Sequence, residues 1–376
     1  MRRLFLLILL AVSINCLAQD HKYLGSDALQ LLENIRSHAQ NGDIMFGVAN
    51  GVSRAYNNLK AEGDTPGDCR QITGKDPQFI ENDFLFKRDQ VFWKNEMART
   101  RAAYNKGCVI GYCWHLRDPI SGDFRLNDQN KNVAKKILSP KESMEKSWFF
   151  SLIDTMLTPV FMELDFPVIF RPFHEMNGNW FWWGSKAINP EQYVELYRAI
   201  VDRIRKNGVK NVIFCWSPDT RLTDEYYPGD DYVDIIGLDV YEPGCSPYHP
   251  DSVYVAETRK LLDFARIHHK IPAITETGLR EYNNVMRFPE EIPDFWSKMV
   301  FAPLLDQKGR GNGIAYVMSW YNANWSGNNR GSLYIPYKGI EQTYGENGKK
   351  AIQDLKQLSK QKHVIFCGDA SYYKKK

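Results

Sequence analysis

Net charge is nearly absent from this sequence: 48 Lys and Arg stand against 45 Asp and Glu, leaving +3 over 376 residues. So even a balance gives no electrostatic case for nucleic acid or an anionic membrane as partner. Long apolar runs are also missing. The most sustained, Leu4 to Val12, is too short to span a bilayer. No Cys-x-x-Cys pair or His-x-x-x-His spacing marks a metal site. No Gly-x-Ser-x-Gly elbow marks an acyl hydrolase. No glycine-rich phosphate turn follows the first apparent strand, which weighs against a doubly wound sheet. Apart from the terminal lysines there is no low-complexity tract, and no Pro-, Gly- or Ser-rich linker divides the chain.

Cysteine is sparse, seven in all. Arg2 and Arg3 precede the apolar run and Cys16-Leu17-Ala18 follows it. This pattern predicts a secretory signal over residues 1–18, cleaved before Gln19. Cleavage leaves a net charge of about +1 and an exported protein, periplasmic or extracellular. Lipidation at Cys16 is the alternative, although Ser13 stands where a bacterial lipoprotein signal carries Leu. Cys69, Cys108, Cys113, Cys215, Cys245 and Cys367 then remain. Export permits disulfides among them but gives no connectivity. Cys113 and Cys215 fall inside apparent buried strands, where a thiol packs as a small hydrophobe.

The composition, 43% apolar and 25% charged, suits a globular enzyme. Aromatic residues, at 13%, are somewhat abundant. Short β-rich runs recur at Ile44-Phe46, Phe79-Asp83, Val109-Trp114, Val168-Arg171, Val212-Trp216, Ile235-Asp239, Ala273-Thr275 and Ile314-Ser319. Helical spacing separates them, as in Tyr193, Leu196, Tyr197, Ile200, Val201 and Ile204. Asn189 and Pro190 form a helix-start signal there. Eight strands with crossover helices predict the α/β class and a single (β/α)8 TIM barrel over residues 19–376. The stretch Arg117 to Pro140 reads as an elaborated loop after the third strand.

In such a barrel the chemistry sits at the carboxyl ends of the strands. Those ends carry Trp114-His115, Arg171-Pro172-Phe173-His174-Glu175, Asp239-Val240-Tyr241, Thr275-Glu276 and Ser319-Trp320. The loop after Glu175 holds Trp180, Trp182 and Trp183. Two glutamates at a barrel mouth walled by indoles suit hydrolysis of a glycosidic bond. One protonates the leaving oxygen and the other attacks carbon, with retention when the carboxyl groups lie about 5–5.5 Å apart. Their pKa values must be driven apart. Arg171 and Tyr241 are candidates to hold Glu276 ionised, and the indoles to keep Glu175 neutral. Asp83 and Asp239 are read as orienting neighbours by hydrogen bonds, and Trp216 as barrel packing.

Arg-Pro-x-His-Glu-x-x-Gly-x-Trp-x-Trp-Trp, followed about a hundred residues later by Thr-Glu-x-Gly, resembles glycoside hydrolase family 26, whose commonest members are secreted β-1,4-mannanases. Phe46-Gly47, Trp114-His115, Gly237-Leu238-Asp239-Val240-Tyr241 and Ser319-Trp320 extend the resemblance over nearly the whole chain. It implies Glu175 as acid/base and Glu276 as nucleophile. It implies His174 as the residue orienting the sugar and Tyr241 as the phenol on the nucleophile. Trp180 and Trp320 become stacking walls, His115 a contact on the non-reducing side, and Arg171 a partner of the glutamates. A retaining double displacement without cofactor or metal follows. The partners expected are β-mannan or manno-oligosaccharide alone, with no nucleic acid, no stable membrane insertion, and a monomeric state.

Three alternatives stay open. Family 26 includes β-1,3-xylanases and mixed-linkage β-glucanases. A sugar-binding protein on an inactive barrel is the non-enzyme reading, although it predicts loss of one glutamate. Cleavage within chains and release of mannobiose from chain ends both fit the loops at Arg117 to Pro140 and Tyr321 to Lys338.

Overall fold

The computed structural model of the chain describes residues 22–59, 66–243, 251–280, 287–306, 313–324 and 331–373. The predicted signal sequence, Cys16 and Cys245 lie outside them. Eight strands form the frame: β1 Ile44–Ala49, β2 Phe79–Asp83, β3 Val109–Trp114, β4 Val168–Pro172, β5 Val212–Trp216, β6 Ile235–Asp239, β7 Ile271–Thr277 and β8 Tyr316–Ser319. Each pairs in parallel with the next, and β8 returns to β1 with Met45 opposite Tyr316 and Val48 opposite Ser319. The eight strands therefore close into a barrel. Helices such as Gln90–Asn105, Pro190–Lys206 and Asp251–Ile267 cross between strands on the outside. Among the described residues no helix is long and apolar enough to cross a membrane.

Alternation along the strands divides the apolar residues between two cores. Met45, Phe79, Val109, Ile169, Ile213, Ile235, Ile271 and Tyr316 fill the barrel. Ile44, Ile80, Ile110, Phe170, Phe214 and Ile236 face the helices. Above the inner apolar layer the same parity brings Glu81, Arg171 and Asp239 inward, so a charged layer rests on a greasy plug. The helix Pro190–Lys206 starts as its sequence predicts. Asn189 and Gln192 form a reciprocal capping box, with Pro190 at the first helical position.

Two features are not apparent in the sequence. The first is a two-residue strand, Val364–Ile365, which pairs with Ile44 and Met45 at the start of β1 while the end of β1 pairs with β2. The following Phe366 stacks on Phe46 at 4.9 Å, and Cys367 Sγ lies 2.7 Å from Cys108 Sγ. The second is a bulge in β7. Leu238 faces Ile274 and Asp239 faces Glu276, whereas Ile274 and Thr277 face Val317 and Ser319. Thus β7 carries one extra residue between Ile274 and Thr277.

Candidate active site

All eight residues singled out from the sequence lie at the carboxyl end of the barrel. His115 follows β3, Arg171 lies in β4, His174, Glu175 and Trp180 follow β4, Tyr241 follows β6, Glu276 lies in β7 and Trp320 follows β8. Arg171, fully buried, is the hub. Its Nε and Nη2 donate to Glu81 Oε1 and Oε2 at 3.1 and 2.6 Å. Nη1 donates to Asp239 Oδ2 at 2.8 Å and Ser217 Oγ at 3.2 Å, and Nη2 also to Glu276 Oε1 at 2.5 Å. Burial works against the guanidinium charge, but the carboxylates of Asp239, Glu81 and Glu276 outweigh it and hold the cation firmly charged.

The β7 bulge explains how Glu276 reaches this hub. Simple alternation would send neighbouring residues to opposite faces; the extra residue turns both Thr275 and Glu276 inward. Thr275 Oγ1 donates to Asp239 Oδ1 at 2.5 Å. Gly237 leaves the room for Thr275, because a Cβ there would come within 2.4 Å of that side chain. Glu276 Oε2 accepts from Tyr241 Oη at 2.6 Å. Both of its oxygens are thus oriented by donors, one charged and one phenolic.

Glu175 stands in a different environment. The turn from β4 places Phe173 and Glu175 in the left-handed region, with φ of 51° and 55°. That conformation is costly for side-chain-bearing residues and persists only where surroundings enforce it. Tyr193 Oη donates to Phe173 O, Trp183 Nε1 to His174 O, and the Glu175 N–H to Ser217 O. Trp182 Nε1 donates to Leu116 O, so Trp182 and Trp183, both fully buried, shape the loop rather than line the cleft. Among the described residues the Glu175 carboxyl accepts a single bond, from Trp180 Nε1 at 2.8 Å. Although the residue keeps a window on solvent, dense surroundings push its pKa well up. Glu276, Asp239 and Asp219 add to the rise, and the Trp180 bond opposes it. Trp180 itself is 37% exposed and its ring covers Gly178, where a Cβ would meet it at 2.4 Å.

One oxygen from each of Glu175, Asp239 and Glu276 lies within 4.8 Å of the others. That closeness suits the shorter carboxyl separation of direct attack better than the about 6.5–9.5 Å that leaves room for a water nucleophile. His174 is sealed beneath them, its Nε2 3.9 Å from Glu276 Oε1. Burial, with Arg171 and His115 nearby, drives its pKa well down and keeps the ring neutral. His115 meets His174 edge-on at 4.6 Å, with Trp320 at 5.7 Å and Phe124 and Phe181 at 5.0 and 5.5 Å. The loop after β3 supplies Phe124 and is tied to the Trp180 loop through Leu126 N–H to Trp180 O at 2.6 Å.

Among the described residues two three-residue groups have metal-ligand spacing: Asp83, Cys113 and His115, and Glu175, Asp239 and Glu276. In the second, the Arg171 guanidinium already binds Asp239 and Glu276, the position a cation would take. In the first, Asp83 and His115 are bonded to each other. The residue missed in the sequence is Glu81. In Phe79-Ile80-Glu81 it shares the inward parity of Phe79, and an acidic residue inside a barrel requires a buried cation. That parity was the available signal. Ser217 and Thr275 complete the network without one.

Residues 26–290 match the family model described as glycosyl hydrolase family 26. A mannan endo-1,4-beta-mannosidase of Bifidobacterium adolescentis is 33% identical over 341 residues, covering 83% of this chain and 32% of that protein. One of Bacillus subtilis (strain 168) is 37% identical over 167 residues, covering 40% of this chain and 41% of that protein. The chain therefore spans less than half the length of these curated relatives. Among solved structures, a GH26 beta-mannanase from Bacteroides ovatus superposes with a TM-score of 0.76 at 25% identity, over 94% of this chain and 98% of that one. GH26C from Muricauda sp. MAR_2010_75 gives 0.77 at 24% identity over 94% of each chain, a likeness of fold.

Proposed function

The chain belongs to glycoside hydrolase family 26, and from that premise we propose that it is a retaining β-mannanase, cleaving β-1,4-mannosidic bonds in mannan and manno-oligosaccharides by double displacement. The observation that carries this reading is the pair Glu175 and Glu276, with carboxyl oxygens within 4.8 Å in opposite environments. Glu276, oriented by Arg171 and Tyr241, attacks the anomeric carbon. Glu175, held protonated by its surroundings, gives its proton to the departing glycosidic oxygen. The carboxylate left behind then takes a proton from water, which attacks the glycosyl-enzyme from the face the leaving group vacated.

Arg171 and Tyr241 keep the attacking oxygens aimed and balance charge as it passes into the new ester bond. Trp180 and Trp320 offer indole faces to sugar rings, and neutral His174, packed beneath Glu276, is the residue to which the family resemblance gives the orienting of the sugar. The curated relatives named for mannan cleavage support the substrate. The basic, apolar and small residues of 1–18 support export, and the enzyme works as a monomer on its glycan alone.

A product time course on linear mannan and mannohexaose, with β-1,3-xylan and lichenan as controls, tests the substrate. A spread of oligosaccharides early in the reaction marks internal cleavage, and mannobiose alone marks chain-end release. Activity confined to a control glycan overturns the mannan reading. The Glu276→Ala variant should lose turnover on every β-mannoside, by a factor of 10⁴ or more, of the order seen on removing a nucleophile. Substantial residual activity would remove Glu276 from the nucleophile's role.

A further inference from the structure

We propose that Asp83 is a positioning residue that makes Nε2 of His115 a hydrogen-bond acceptor for a hydroxyl of the β-manno-oligosaccharide, an inference that rests on the hydrolase reading above. Asp83 closes β2 and is 2% exposed. Its Oδ1 accepts the backbone N–H groups of Leu85 at 2.9 Å and His115 at 3.1 Å. Its Oδ2 lies 2.8 Å from His115 Nδ1. A carboxylate only accepts, so Nδ1 carries the proton. A neutral imidazole holds one N–H, and Nε2 is left with its lone pair.

No described residue uses that lone pair. Nε2 makes no hydrogen bond with the described residues, and it is not among the polar atoms sealed without a partner. His174 is the opposite case: its Nδ1 is sealed and unpartnered, and its Nε2 looks to Glu276. The ring also packs against Phe124, Phe181, Trp320 and the edge of His174, and the Cys113 thiol lies within 4.8 Å of one of its nitrogens. The packed rings fix its plane and leave its polarity to Asp83. The ligand group that fits is a hydroxyl giving its proton.

The Asp83→Asn variant inverts this arrangement without changing its shape. Two backbone N–H groups require an oxygen at the Oδ1 position, so the amide nitrogen takes the place of Oδ2. Nδ1 must then accept, and the ring proton moves to Nε2. A sugar hydroxyl meeting the variant has to turn its own proton away from the partner it was arranged to satisfy.

The test combines nitrogen-15 NMR of histidine-labelled protein in alkaline buffer with kinetics on manno-oligosaccharides in which single hydroxyls are replaced by hydrogen or fluorine. The wild-type His115 should show a bare Nε2, and Asp83→Asn a protonated one. The variant should lose roughly 10-fold in kcat/KM on mannotriose, mainly through KM. At one hydroxyl position the wild type should tolerate fluorine no better than hydrogen, because neither donates. The variant should favour fluorine there, because its Nε2–H has something to donate to. A wild-type proton on Nε2, or the same tautomer in both proteins, overturns the proposal whatever the activity. A changed tautomer with unchanged preference at every hydroxyl removes the substrate contact. A wild type inactive on all β-mannosides would instead sink the hydrolase reading, and the NMR result would still stand.

Discussion

Glu175 and Glu276 bring one functional group into two settings, and the difference lies in their neighbours. Glu276 has a guanidinium and a phenol on its oxygens, while Glu175 has one indole N–H and crowded surroundings. The sign of the Trp180 contact gives a prediction. A donor to the ionised form lowers a carboxyl pKa, so Trp180→Phe removes a restraint on one already raised. The acid form then survives to higher pH. The alkaline limb of the kcat/KM profile should move upward in the variant; a downward shift, or none, would contradict the assignment of that limb to Glu175. At this scale much of the site was legible, because charged residues at strand ends and a run of tryptophans need no tertiary context to be noticed. Glu81 was not, since its role exists only through a guanidinium two strands further along the chain, 90 residues on.

Strands were more legible than their irregularities. The pattern of Ile271, Ala273 and Thr275 continues smoothly through β7, and the extra residue that turns Glu276 inward leaves no mark in it. The same holds for the seam where the chain after β8 meets the loop after β1. There Asp68, almost wholly buried, accepts from the Tyr56 N–H at 2.7 Å and from Asn322 Nδ2 at 2.9 Å. Asn322 also binds the backbone of Tyr334 and Ile335. Burial raises the Asp68 pKa to about 7, with both donors opposing it. The folded protein therefore holds a proton that the unfolded chain releases near its ordinary value of 3.8. Stability from this group is complete below that value and is lost as pH rises through about 7. Asp68→Asn keeps an oxygen for both donors and removes the titration. Urea unfolding across that range should show a flatter decline, by up to ~1.4 kcal/mol per pH unit. An unchanged slope would rule out Asp68 as its source.

For the molecule as a whole, barrel closure depends on both termini of the described chain. β1 sits between β8, β2 and the late strand Val364–Ile365, which is too short to carry a periodic signal. Cys108 and Cys367 meet beside that strand, a pairing the sequence left undetermined because contact order cannot be read from spacing. Glutathione disulfide should oxidise them to a cross-link, each thiol giving up its hydrogen as the reagent is reduced to two thiols. The bond would tie residues 259 apart, and the chain-entropy limit is on the order of 5 kcal/mol. Oxidised protein should melt higher than reduced protein, and Cys108→Ser should abolish the difference. Two titratable thiols persisting at these positions after oxidation would refute the pairing.

The central claim is that Glu276 attacks carbon while Glu175 supplies and recovers the proton. It is tested most directly by trapping the intermediate. The Glu175→Ala variant would be incubated with a 2-deoxy-2-fluoro-β-mannobioside bearing a dinitrophenolate leaving group, which departs without a proton. Peptide mapping by mass spectrometry would then locate the label. The account predicts one glycosyl group, ester-linked to Glu276. A label on another residue, or release of dinitrophenolate with no covalent adduct at any time, would contradict it.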